Sequence, residues 1–134
     1  MTTPGERQGR TTVLLVEDHA DSRLMYAEFL KLQFIVFDAP DGVAAIELME
    51  GMAPDVMVTD LSLPRMDGFE LIRRTRTNPR MARVGIIALS GYSSPDHEAA
   101  ARAAGAELIL QKPCLPDQLA EAVAAVASRR KDNG

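Results

Sequence analysis

A chain of 134 residues with a net charge of −4 has room for one domain with an ordinary aliphatic core. Its acidity speaks against sequence-independent binding of nucleic acid or anionic lipid, both of which need a basic face. Cys114 is the only cysteine, so no internal disulfide exists and a reducing, cytoplasmic setting is expected; no apolar run approaches the length of a membrane span.

Residues 1–11 are polar and lack the apolar segment of a secretory signal, so they read as a disordered lead. The first apolar run, Val13-Leu14-Leu15-Val16, ends on Glu17-Asp18. A helix opened by Asp21 or Ser22 follows, with Met25, Phe29 and Leu32 recurring at i, i+4, i+7. The second run, Phe34-Ile35-Val36-Phe37, leads into Asp38 and the turn residues Ala39-Pro40-Asp41-Gly42. Ala45, Ile46 and Met49 then mark a second helix, closed by Gly51. The third run, Val56-Met57-Val58, delivers Asp60, with Pro64 and Gly68 punctuating the loop behind it. Phe69 and Ile72 mark a third helix that sends Arg73, Arg74 and Arg76 toward solvent. The fourth run, Ile86-Ile87-Ala88-Leu89, ends on Ser90. Ser94 can cap a fourth helix that starts with Pro95 and stops before Gly105. The fifth run, Leu108-Ile109-Leu110, precedes Gln111-Lys112-Pro113. A fifth helix spans about Pro116 to Arg130, where Arg129, Arg130 and Lys131 suit the negative end of its dipole. Residues 131–134 read as a disordered tail.

None of the five runs alternates polar with apolar, the mark of parallel strands covered on both faces. Five β-α units with right-handed crossovers give an α/β sandwich over 12–130, with helices on both faces of one parallel sheet. Ligands of such a sheet bind beyond the carboxyl ends of its strands. There the sequence places Glu17, Asp18, Asp60, Ser90 and Lys112. Three clustered carboxylates repel one another unless a cation intervenes, and an all-oxygen donor set favours Mg²⁺. An aspartate can serve as a nucleophile toward phosphorus, and a lysine with a hydroxyl can hold the oxygens of the transferred group.

The stretches Val13-Leu14-Leu15-Val16-Glu17-Asp18, Val58-Thr59-Asp60 through Asp67-Gly68, Leu89-Ser90-Gly91 and Lys112-Pro113 resemble the receiver domain of two-component response regulators. Each is weak alone; in order and at strand ends they are specific together. The resemblance implies a flavodoxin-like, doubly wound (βα)5 fold with strand order 2-1-3-4-5. It implies that Asp60 accepts a phosphoryl group from a phosphohistidine on a sensor histidine kinase or histidine phosphotransfer protein. It also implies that Glu17, Asp18, Asp60 and the backbone carbonyl of Ser62 bind Mg²⁺, that Ser90 fills the hydroxyl switch position and that Lys112 contacts the phosphate. The chain departs from the family in two places. Ile109 stands where an aromatic usually turns inward, and Cys114 stands where Phe usually follows Lys-Pro. Tyr92 is the nearest aromatic that would report on the Ser90 loop instead.

His19 and His97 read as exposed polar residues, Cys114 as an apolar filler, and Arg73, Arg74 and Arg76 as a solvated face. A phosphatase of the haloacid dehalogenase type would need a second aspartate at position 62, which is Ser62. A nucleotide- or flavin-binding module would need glycines where Glu17-Asp18-His19-Ala20 stand. The expected function is therefore a phosphoacceptor, not a separate enzyme, that signals by protein contact; a receiver segment of a hybrid histidine kinase has the same sequence features.

Overall fold

The sheet is built from five all-parallel strands: β1 (Thr12–Val16), β2 (Ile35–Ala39), β3 (Val56–Asp60), β4 (Gly85–Ser90) and β5 (Leu108–Gln111). Their order is β2-β1-β3-β4-β5, as expected for a doubly wound fold. The computed structural model describes residues 10–91 and 94–133. Most of the polar lead, Tyr92, Gly134 and the side chains of Arg130 and Lys131 lie outside the described residues.

The strands read as continuous apolar runs because successive side chains feed two different cores. Val13, Leu15, Val56, Val58, Ile87 and Leu89 face one cluster; Leu14, Val16, Met57, Ile86 and Ala88 face the other. Helices α1 (Ala20–Leu30) and α5 (Pro116–Asn133) cover the first face, while α2 (Gly42–Gly51), α3 (Gly68–Thr77) and α4 (Pro95–Ala104) cover the second. Each fully buried Leu or Ile contributes about 1.5–3 kcal/mol of transfer free energy. β1, β3 and β4 are buried along almost their whole length, whereas the outer strands β2 and β5 are half-exposed.

Chain order reverses between β1 and β3, which are neighbours although β2 intervenes in sequence. The carboxyl ends of these two strands form the switch point where ligands of such sheets bind. They carry Glu17-Asp18 and Asp60.

Local signals explain four helix ends, whereas α1 begins at Ala20 after His19, which makes no side-chain cap hydrogen bond, and not at the expected Asp21 or Ser22. Ser94 caps α4 by accepting from the His97 amide, Pro95 occupies its first turn, and Gly105 closes it at φ 128°, a conformation that glycine adopts without a Cβ clash. Asp41 and Asp67 cap α2 and α3.

Three further helical expectations are corrected. The core face of α1 is Tyr26, Ala27 and Leu30, with Phe29 at its margin, while Met25 and Leu32 point to solvent. The i, i+4, i+7 recurrence of Met25, Phe29 and Leu32 lies beside the face that contact with the sheet selects, the one containing Tyr26, Ala27 and Leu30. Arg76 is not on a solvated face: its guanidinium donates to the carbonyls of Ala82, Val84 and Gly105, tying the end of α3 to the entries of β4 and β5. Arg73 and Arg74 are exposed as expected, paired with Glu70. Finally, α5 continues to Asn133, three residues past the expected end at Arg130.

Candidate phosphoacceptor and metal site

Asp60 is the last residue of the central strand β3, where the pleat delivers it to the sheet edge while its backbone stays in register with Leu89 of β4. The residue is only 4% exposed. Its Oδ2 accepts from the Lys112 ammonium at 2.7 Å. The same ammonium donates to Glu17 Oε1 at 3.1 Å. Glu17 follows β1, is buried, and takes the His19 amide on its other oxygen at 3.0 Å. Lys112 follows β5; its amide donates to the Ser90 carbonyl at 2.8 Å, and its peptide bond to Pro113 is cis. Asp18 is exposed beside this pair. One oxygen each from Glu17, Asp18 and Asp60 lies within 4.8 Å of the others. A cleft of about 520 Å³ opens over them, lined also by Ser62, Gly91 and Lys112.

The charge balance is uneven. Burial pushes the Asp60 carboxyl up to about 7, helped by the neighbouring Glu17 carboxylate and opposed by Lys112. Burial also pushes Glu17 upward, but the His19 amide, Asp60 and Lys112 overcome it and hold Glu17 below the ordinary glutamate range. Burial works against charge on Lys112, yet Asp60 and Glu17 keep it above the ordinary lysine value. One ammonium thus serves two buried carboxylates, with the exposed Asp18 carboxylate beside them, and burial works against charge on Asp60. The donor set is all oxygen and suits a hard divalent cation. The residues present therefore fit the metal expected from the sequence.

The structure brings Glu17, Asp18, Asp60, Ser62 and Lys112 to one cleft. Ser90 is buried at the end of β4, with its carbonyl engaged by Lys112. Ile109 lies at mid-strand, half-buried, and packs on the core under α2, α3 and α4. Tyr92, the other proposed switch residue, is outside the described residues. His19 is exposed; His97 and Phe69 meet in a T-shaped contact at 5.3 Å between centroids.

Several supporting residues escaped the sequence reading. Arg23 of α1 donates to the Glu17 carbonyl at 2.9 Å and pairs with Asp38 at 3.2 Å. Tyr26, also on α1, donates to the Cys114 carbonyl at 2.6 Å, so one helix fastens the loops carrying Glu17 and Lys112. A tyrosine among the apolar residues of a helix carries a hydroxyl that must find an acceptor once buried, which was the available signal. Arg65 pairs with Asp41 at 2.9 Å, joining the loop after β3 to the start of α2. Nothing in the local sequence marks either partner.

Residues 13–124 match the family model of the response regulator receiver domain. The sensor histidine kinase TmoS of Ectopseudomonas mendocina is 36% identical over 95 residues, covering 71% of this chain and 10% of the kinase. The transcriptional regulatory protein PdtaR of Mycobacterium tuberculosis is 34% identical over 133 residues, covering 98% of this chain and 63% of that protein. Among solved structures, the chemotaxis response regulator CheY4 of Vibrio cholerae superposes with a TM-score of 0.83 at 29% identity, covering 87% of this chain and 98% of that one. The chain thus spans about a tenth of the kinase and less than two thirds of PdtaR.

Proposed function

The chain belongs to the response regulator receiver domain family, and from that premise we propose that Asp60 is the residue that takes up a phosphoryl group. Receivers of two-component systems are phosphoacceptors, and this chain shares their fold over most of its length. The donor is a phosphohistidine on a histidine kinase or histidine phosphotransfer protein, and the domain's own part is limited to catalysing its phosphorylation and the later hydrolysis. The phosphorylated form passes its signal by protein contact from the receiver unit at 12–130. No described helix is long and apolar enough to cross a membrane, in keeping with action in the cytoplasm.

The observation that carries this reading is the Lys112 ammonium shared between Glu17 and Asp60 at the switch point of the sheet. In the proposed roles, Glu17, Asp18, Asp60 and the Ser62 carbonyl hold Mg²⁺. Bound there, the ion would neutralise carboxylate charge and supply Lewis-acid stabilisation to the phosphoryl group. Lys112 and the Ser90 hydroxyl hold the other oxygens, and a carboxylate oxygen of Asp60 attacks phosphorus as the bond to the donor nitrogen breaks.

Incubation with a small acyl phosphate and Mg²⁺ is expected to add one phosphoryl group, labile in alkali, to wild type and none to Asp60→Asn. Intact-mass measurement reads the result. Equal labelling of the folded variant would remove Asp60 from the role.

A further inference from the structure

The loop joining β3 to α3 carries Ser62, and two features of its tip stand out. Arg65 is the one described non-glycine residue with positive φ, at 66°. A side chain in this left-handed conformation persists only where its surroundings hold it there. The turn at Arg65 is closed by the Met66 amide on the Pro64 carbonyl at 2.7 Å, and its side chain is held by Asp41: the guanidinium lies 2.9 Å from each carboxylate oxygen. Asp41 is itself buried and also caps α2 by accepting from the Ala44 amide at 2.8 Å. A neighbouring contact agrees, since Met66 packs so closely on Gly42 that a Cβ there would sit 3.0 Å from it. The base of the loop is closed separately, by the Gly68 amide on the Leu61 carbonyl at 3.0 Å. Between base and tip, Ser62, Pro64 and Arg65 are exposed, while Leu63 and Met66 rest on the core only in part.

We propose that the Arg65–Asp41 ion pair is a latch that fixes the tip of the loop after β3 against the N-terminus of α2, and so positions the Ser62 backbone for the cation held by Glu17, Asp18 and Asp60. Arg65 and Asp41 are positioning residues; neither lines the cleft over the acidic cluster. The latch rests on the metal reading above, and its test separates the two.

The two partners carry opposite charges, which makes the latch distinguishable from simple electrostatics. Removing the Arg65 cation would tighten Mg²⁺ binding if its charge alone mattered, and removing the Asp41 anion would weaken it. A latch requires both changes to weaken binding. Asp41→Asn keeps a good helix cap, and Arg65→Gly keeps a residue at ease with positive φ. Mg²⁺ alone is titrated into each variant and followed by amide shifts, together with thermal unfolding and amide exchange of the metal-free protein. Both variants are expected to raise the Mg²⁺ dissociation constant roughly tenfold, with the double variant no worse than either single one. Arg65→Gly should unfold no earlier than wild type, while exchange at Met66 and Gly68 accelerates. Tighter Mg²⁺ binding by Arg65→Gly, or unchanged binding and exchange in both variants, would overturn the latch. Failure of wild type itself to bind Mg²⁺ would strike the metal reading instead, and the exchange measurement would still decide whether the pair holds the loop.

Discussion

At the scale of single residues, Asp60 carries the largest consequence. Its folded-state value of about 7 stands above the ordinary aspartate value of 3.8, chiefly because the carboxylate is buried. The folded protein therefore holds this proton more tightly than the unfolded chain, and stability from Asp60 is lost as pH rises toward and through 7. Glu17, shifted downward, contributes the opposite slope, but only at pH values near and below 4.5. Between pH 5 and 8 Asp60 governs the site. Without divalent metal, the melting temperature of wild type is expected to fall by about 5 °C across that window, beyond the slope shown by Asp60→Asn. The amide mimics the protonated acid, so at pH 8 the variant should be the more stable by about 1–2 kcal/mol. Parallel melting curves of the two proteins against pH would refute the raised value. Asp60, Glu17 and Lys112 were legible in the sequence because each stands at the end of an apolar run. Arg65 and Arg76 were not: the partner of Arg65 lies 24 positions away, and Arg76 binds backbone carbonyls, up to 29 positions away, which no side-chain pattern announces.

At the scale of elements, the strands were readable and the helices only in part. A strand buried on both faces is a continuous apolar run, and no choice of face arises. An amphipathic helix must also choose a rotation, and α1 carries apolar residues on two of them. Tyr26 settles the matter by contributing both a ring to the core and a hydroxyl to the Cys114 carbonyl. Its burial raises the phenol above its ordinary value and keeps it a donor. Tyr26→Phe keeps the ring and leaves a buried carbonyl without its donor, which costs about 1–2 kcal/mol. Chemical denaturation should show that loss as a lower midpoint with unchanged slope. The variant should also phosphorylate more slowly, since α1 no longer fastens the turn presenting Lys112. Wild-type stability in Tyr26→Phe would mean that the hydroxyl contributes nothing to joining α1 and the loop after β5.

At the scale of the whole molecule, the topology converts four separate loops, those after β1, β3, β4 and β5, into one site. Glu17 and Lys112 are 95 positions apart in sequence yet 3.1 Å apart in space. The sheet accomplishes this by placing all five strand ends on one edge, and the reversal between β1 and β3 leaves the acidic residues room to converge. The cost of that convergence is like-charge repulsion in a half-buried cleft. A cation that binds only the folded arrangement should therefore stabilise the entire domain. At a Mg²⁺ concentration one hundred times its dissociation constant, the gain is about 2.7 kcal/mol. Asp18 is exposed and the structure gives it no role in the core. Asp18→Ala is accordingly expected to melt at or slightly above the wild-type temperature without metal, having lost one repelling charge, and to gain little when Mg²⁺ is added. Because binding displaces the proton of Asp60, the wild-type gain should also grow as pH rises from 6 to 8. Thermal unfolding with and without Mg²⁺ at those two pH values tests both effects together. An Asp18→Ala variant that gains as much from Mg²⁺ as wild type would place the ion elsewhere, whereas a gain independent of pH would mean that Asp60 does not give up a proton to bind it.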